Sequence, residues 1–230
     1  MLDAHWIFFD IGSTLVDETV AVKSRNRTVI PLLRKLGIRT SAKRLWGLHF
    51  IGGRKGVKNP FNYALETVGC SGNDIKWIRI RAPYDSRKER LYPGVKKLLQ
   101  GLSRHYRLGI IANQSRGLAK RLQRLGIAGY LKVIVGSADV GFDKPDPRIF
   151  RLALERARAR AGECVMVGDI PNKDILPANR LGLTTVQVRQ GFHTRYRPTS
   201  TLERPNYRIR RIAQFRSLTA GNAPEIRAMR

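Results

Sequence analysis

The sequence predicts an α/β protein built on a doubly wound parallel sheet, with an α-helical domain inserted after the first strand. Two observations carry this. From Pro93 onward, short apolar runs alternate with amphipathic stretches of about 10–15 residues, the pattern of βαβ units. Between Asp17 and Tyr92 that alternation is missing, and apolar residues recur at helical spacing instead.

The elements follow in order. Trp6-Ile7-Phe8-Phe9 is a short apolar strand that stops on Asp10. Val29, Leu32, Leu33 and Leu36 mark one face of a helix, although Pro31 is disfavoured inside it. Phe61, Ala64, Leu65 and Val68 mark a second helix over 60–68. Residues 51–58, basic and rich in glycine, read as a loop between them. Pro93-Gly94 opens a helix with Val95, Leu98, Leu99 and Leu102 on one side. Then come a strand over 107–112, a helix over 117–125 stopped by Gly126, and a strand over 131–135. A helix over 146–161, a strand over 164–167 ending on Gly168-Asp169, a helix over 172–181 and a strand over 184–188 complete the pattern. Residues 207–218 supply an edge strand and a last helix, and the final dozen residues read as a loose tail. The expected division is a core of residues 1–16 and 93–230, with a helical domain of 17–92.

The chain carries 44 Lys and Arg against 17 Asp and Glu, a formal charge of +27. Such a balance attracts nucleic acid, anionic lipid or an anionic substrate. The excess is dispersed: residues 17–92 hold 17 basic and 6 acidic side chains, and residues 189–230 hold 10 Arg and 2 Glu. With no zinc-finger, KH or RNP pattern beside it, nucleic-acid binding is a secondary reading. No apolar run is long enough to span a bilayer, and the start Met-Leu-Asp-Ala-His lacks a basic signal-peptide region. The expectation is a cytoplasmic protein with no membrane partner. Cys70 and Cys164 have neither disulfide-framework nor metal-ligand spacing and read as core residues.

The polar residues that matter sit where strands end, and in an open α/β sheet the ligand site lies at the carboxyl ends of the strands. They are Asp10, Asn113, Lys144 in Phe-Asp-Lys-Pro-Asp-Pro, and Asp169 with Asp174 in Gly-Asp-Ile-Pro-Asn-Lys-Asp. Singly, each is ordinary: Asp146 reads as a helix N-cap, and Asp169 or Asp174 as another. Together they resemble the four ordered motifs of the haloacid dehalogenase-like superfamily. FFDIGSTL is similar to its first motif, LGIIANQ to the second, DKPDPRIF to the third and VMVGDIPNKD to the fourth.

This resemblance implies a hydrolase in which Asp10 attacks phosphorus and becomes an aspartyl-phosphate. It implies Mg²⁺ held by the Asp10 carboxylate, the Gly12 carbonyl, Asp169 and waters, with Asp174 holding a metal-bound water or orienting Lys144. Lys144 pairs with Asp10 and the phosphoryl oxygens. Backbone N–H groups of the Ile11 to Ser13 turn, and Asn113, meet those oxygens. The helical insert corresponds to the family's cap, which closes over a small phosphorylated substrate. Arg54, Lys55 and Lys58 read either as contacts to an anionic group or as solvated charges. Trp46 and Phe50 read as core of the cap; His49, His105 and His193 show no partner spacing, and His5 reads as lying on the first strand.

Two positions depart from the phosphatase pattern. Gly12 stands where a second Asp usually protonates the leaving oxygen, a role worth roughly 10²–10⁴ in rate. Ala112 stands where a Ser or Thr usually donates a hydrogen bond worth roughly 1.5–3 kcal/mol, a loss that Asn113 or Ser115 would have to make good. Asp17 and Glu18 are candidate replacement acids, or simply the solvated entrance to the insert. The leading expectation is a metal-dependent phosphatase with altered acid–base chemistry. The alternatives are a weakened binding protein that uses its basic surface, and a dehalogenase-like hydrolase.

Overall fold

The computed structural model describes residues 4–57, 59–194, 196 and 198–219. The chain begins with β1 (Trp6–Phe9) and β2 (Val16–Asp17), then four helices: α1 (Thr19–Lys35), α2 (Ala42–Arg54), α3 (Pro60–Thr67) and α4 (Gly72–Arg81). It continues through β3 (Arg90–Leu91), α5 (Val95–Leu102), β4 (Arg107–Ala112), α6 (Leu118–Arg124) and β5 (Leu131–Gly136). The remaining elements are α7 (Ser137–Val140), α8 (Pro147–Ala157), β6 (Cys164–Gly168), α9 (Leu176–Leu181), β7 (Thr184–Val188), β8 (Tyr207–Ile209) and α10 (Phe215–Thr219).

The first compact unit, Met1–Val16, Leu91–Gln190 and Pro198–Arg230, holds a sheet of order β5-β4-β1-β6-β7-β8. Every neighbouring pair in it is parallel. This is the doubly wound arrangement that the alternation predicts. Helices cover both faces, so strand residues are apolar on both sides. Along β1, Ile7 and Phe9 join the cluster of Val95, Leu99 and Phe215, while Trp6 and Phe8 join that of Ile149, Phe150 and Met166.

The second unit, Asp17–Arg90 and Gly191–Arg197, packs α1 to α4 around Val29, Leu33, Leu45, Phe61, Leu65 and Ile78. Two corrections arise here. Residues 51–54 are helical, not looped: α2 runs through them to Arg54. Their glycines serve close packing. A Cβ on Gly52 would lie 3.0 Å from the Tyr63 ring, and one on Gly53 would lie 2.8 Å from the Phe192 carbonyl. Lys58 of the expected loop is outside the described residues. The second correction concerns residues 191–197, expected in the core. Phe192 packs its ring at 5.0–5.3 Å from those of Trp46, His49 and Phe50, which draws this short segment into the helical unit. The chain therefore passes between the units four times.

Smaller differences have local causes. α1 continues through Pro31, which lies on its exposed face. α8 stops at Ala157 because Arg158 turns left-handed. The helix expected from Asn172 starts instead as a π-turn over Pro171–Ile175, closed by Leu176 N–H donating to the Pro171 carbonyl. The residues expected to form a loose tail lie, from Ala220 on, outside the described residues.

Candidate active site

The register of the sheet builds the site. Phe9 is level with Ile110 on one side and Val167 on the other, so parallel β1, β4 and β6 end within two residues of one another at the same end of the sheet. Asp10 extends the ladder by donating its N–H to the Val167 carbonyl at 2.9 Å. Asp10, Asn113 and Asp169 thus leave adjacent strands at the same end, all within the first unit.

Lys144 links them. Its Nζ lies 2.7 Å from Asp10 Oδ1 and 2.5 Å from Asp174 Oδ1, and all three side chains are buried. The main chain of Lys144 is held by Asn113, whose Oδ1 accepts its N–H at 2.7 Å and whose Nδ2 donates to its carbonyl at 2.8 Å. Asp174 is fixed through its other oxygen, which accepts the Ile170 N–H at 2.9 Å. The carboxyl of Asp174 sits directly on Gly168, where a Cβ would lie 2.4 Å from it. Only glycine leaves room there. The π-turn accommodates the long spacing between Asp169 and Asp174; such turns are frequent at functional sites.

Oxygens of Asp10, Asp169 and Asp174 all lie within 4.8 Å of one another. Burial, together with the Asp174 and Asp169 charges, pushes the Asp10 carboxyl up to about 7 against the pull of Lys144. Burial opposes the Lys144 charge, but Asp10 and Asp174 outweigh it and hold this lysine above the ordinary range. Lys173, half-buried, interacts with the same groups, and burial lowers its pKa. Three carboxylates therefore face two ammonium groups. An all-oxygen donor set with surplus negative charge suits a hard divalent cation.

Several further residues support the site without any local signal in the sequence. Thr14, fully buried, donates from Oγ1 to Asp169 Oδ1 at 3.4 Å. Gln190 donates to the Thr14 carbonyl at 2.7 Å and accepts the Ile212 N–H at 3.0 Å, tying the first loop to the last segment. Ser137 accepts the Gln114 N–H at 3.0 Å, and Arg121 donates to the Gln114 side chain. No local pattern marks such long-range partners.

The structure separates the expected roles. Ser13 is buried in a left-handed conformation, φ 55°, and its N–H donates to the Val16 carbonyl at 2.9 Å. That donor is thus committed to the loop itself, a correction to the expected cradle. Gly12 pairs across the same loop with Val16. Ala112 is fully buried in the apolar core, and Ser115 is exposed. Asp17 accepts the Thr19 N–H at 2.8 Å, and Glu18 accepts from Tyr84 Oη at 3.3 Å, so both are used within the helical unit. Arg54 and Lys55 are exposed. Cys70 and Cys164 are free and buried, and burial raises their thiols to about 11 and 12. Among the described residues no helix is long and apolar enough to cross a membrane.

The haloacid dehalogenase-like hydrolase family matches residues 5–182. The chain belongs to this family. Among relatives of this hydrolase, a glyceraldehyde 3-phosphate phosphatase from Methanopyrus kandleri is 29% identical over 89% of this chain and 92% of its own length. A phosphoglycolate phosphatase from Cupriavidus necator is 33% identical over 81% of each. A solved phosphatase of the same family from Thermococcus onnurineus superposes with a TM-score of 0.66 at 26% identity, over 96% of this chain and 99% of that one. A predicted phosphoglycolate phosphatase from Haemophilus somnus shares the fold at a TM-score of 0.75 and 20% identity, over 95% and 99%.

Proposed function

We propose that this hydrolase is a Mg²⁺-dependent phosphatase of small phosphorylated substrates, with Asp10 as its nucleophile. The observation that carries the reading is the buried set Asp10, Lys144, Asp169 and Asp174 at the carboxyl ends of β1 and β6. The names of the relatives, phosphatases of glyceraldehyde 3-phosphate and phosphoglycolate, support the substrate class.

In this reading Asp10, Asp169 and the Gly12 carbonyl would hold the metal, with Asp174 behind them; the bound cation would supply positive charge that keeps Asp10 ionised and offsets the phosphoryl group. An Asp10 oxygen bonds to phosphorus and the substrate's ester oxygen departs with the bonding pair. Lys144 faces the Asp10 oxygen and stabilises the charge that builds there. Asn113 keeps Lys144 in place through its main chain, and its second Nδ2 hydrogen meets a phosphoryl oxygen, with Ser13 in the adjoining loop. Water then attacks phosphorus, releasing phosphate and restoring the Asp10 carboxylate. With Gly12 in place of a general acid, the departing oxygen takes its proton from solvent. Substrates with stable leaving groups are therefore favoured.

The test is turnover of para-nitrophenyl phosphate by the full chain, with and without Mg²⁺, beside Asp10→Asn. Metal-dependent release that falls to background in the variant is the expected result. Turnover that persists in Asp10→Asn, or that ignores EDTA, would overturn the reading.

A further inference from the structure

At the opposite end of the sheet lies a cavity of about 500 Å³, open to solvent at the amino ends of β1, β4 and β6. Trp6 lines this cavity while Asp10 lies four residues on, so the two places are ~13 Å apart along one strand. The floor is regular backbone: His5 N–H donates to the Glu163 carbonyl at 2.8 Å, and Arg107 N–H to the His5 carbonyl at 2.9 Å. It is therefore largely formed without a ligand.

Its walls carry Arg104, Arg107 and Arg158 against a single carboxylate, Glu163. Among the described residues, none of the three arginines meets a carboxylate in an ion pair. Glu163 is itself turned aside, accepting the Arg160 N–H at 3.3 Å. Arg107 lies 6.0 Å above the Trp6 ring. Three arginines without a carboxylate partner thus line one cavity, a donor set suited to phosphoryl oxygens.

A second, independent observation singles out Arg158. It ends α8 at φ 49° and ψ 47°, a left-handed conformation that a Cβ disfavours and that glycine usually fills at helix ends. The chain itself uses glycine there elsewhere, Gly141 after α7 and Gly182 after α9. Among the described residues, the only other non-glycine with positive φ is Ser13, in the candidate active site. Backbone strain of this kind clusters where side chains are functionally placed.

We infer that this cavity binds a small polyphosphate anion, either free or as the phosphate chain of a nucleotide, at a site separate from the carboxylate cluster. Calorimetric titration of the full chain with tripolyphosphate and with ATP, both in EDTA and at about 0.15 M salt, tests this. One saturable site is expected, weakened at least tenfold by Arg158→Gly and by Arg107→Gln. Arg158→Gly melts no lower than the parent, because glycine suits that backbone, so its loss of binding is not a loss of fold. Arg44→Gln, an equal loss of charge on α2, leaves affinity within twofold. Equal affinities for the two probes assign recognition to the phosphate chain alone; tighter ATP binding adds the nucleoside. The inference is overturned if wild type shows no saturable binding, or if Arg44→Gln weakens it as much as the two cavity variants do.

Discussion

Two sets of buried polar side chains, one in each unit, are held on opposite terms. In the sheet unit, Lys144 sits between Asp10 and Asp174, and each carboxylate has a named donor. In the helical unit, Asn26 and His49 are buried, yet Asn26 Nδ2 and His49 Nδ1 have no protein partner among the described residues. Paired burial fixes three charges in one geometry. Lone burial costs stability and fixes nothing. Folding thus tolerates polar burial in both places, but only the first has the arrangement that chemistry needs.

The comparison is broken most directly at Lys144. Lys144→Ala leaves two carboxylates buried without their cation, and removing one partner of a buried pair costs about 3–5 kcal/mol. Urea denaturation should read a loss of that order, with turnover abolished. A loss within error of zero would mean that the pairing contributes nothing and that the contrast is empty.

A smaller effect comes from His49. Burial, with His193 and Arg25 nearby, pushes its pKa down to about 4 from the ordinary 6.5. Between those values the unfolded chain binds the proton and the folded chain does not, so stability falls as pH drops from 6.5 towards 4. The full loss is roughly 3 kcal/mol, at 1.36 kcal/mol per pKa unit. Asp10 has the opposite sign in metal-free protein, because its raised pKa makes stability grow as pH falls through about 7. Comparing wild type with His49→Phe cancels Asp10. The difference between their urea midpoints should therefore change between pH 7.5 and pH 4.5. If the gap is constant, His49 is not held neutral by burial.

The smallest effect sharpens the contrast without charge. Asn26→Leu replaces a buried amide by an apolar group of similar size. Relief of an unmatched donor should raise stability by about 1 kcal/mol, seen as a higher melting temperature. A lower melting temperature would show that Asn26 is matched after all.

Much of the sheet unit was legible because its signals are local. A strand buried on both faces is an unbroken apolar run, and the residues at its end are the next letters: Asp10 after Phe9, Asn113 after Ala112, Asp169 after Gly168. Thr14 and Gln190 were not legible, since what gives them meaning lies 155 and 176 residues away in the chain. In the helical unit the glycines misled. Gly52 and Gly53 have the composition of a loop, but their lack of a side chain admits Tyr63 and the Phe192 backbone against α2. Arg158 shows the converse, an arginine where the backbone asks for glycine.

Phe192 has a consequence for engineering. Members of a family such as this invite domain grafting, in which one insert is exchanged for another between two splice points. Here the helical unit is not a contiguous cassette. Residues 17–90 transplanted alone would leave Trp46, His49 and Phe50 without the ring that packs among them, and the recipient would need a second graft at 191–197. A chimaera built with two junctions inherits an exposed aromatic patch, and one built with four carries its own stopper.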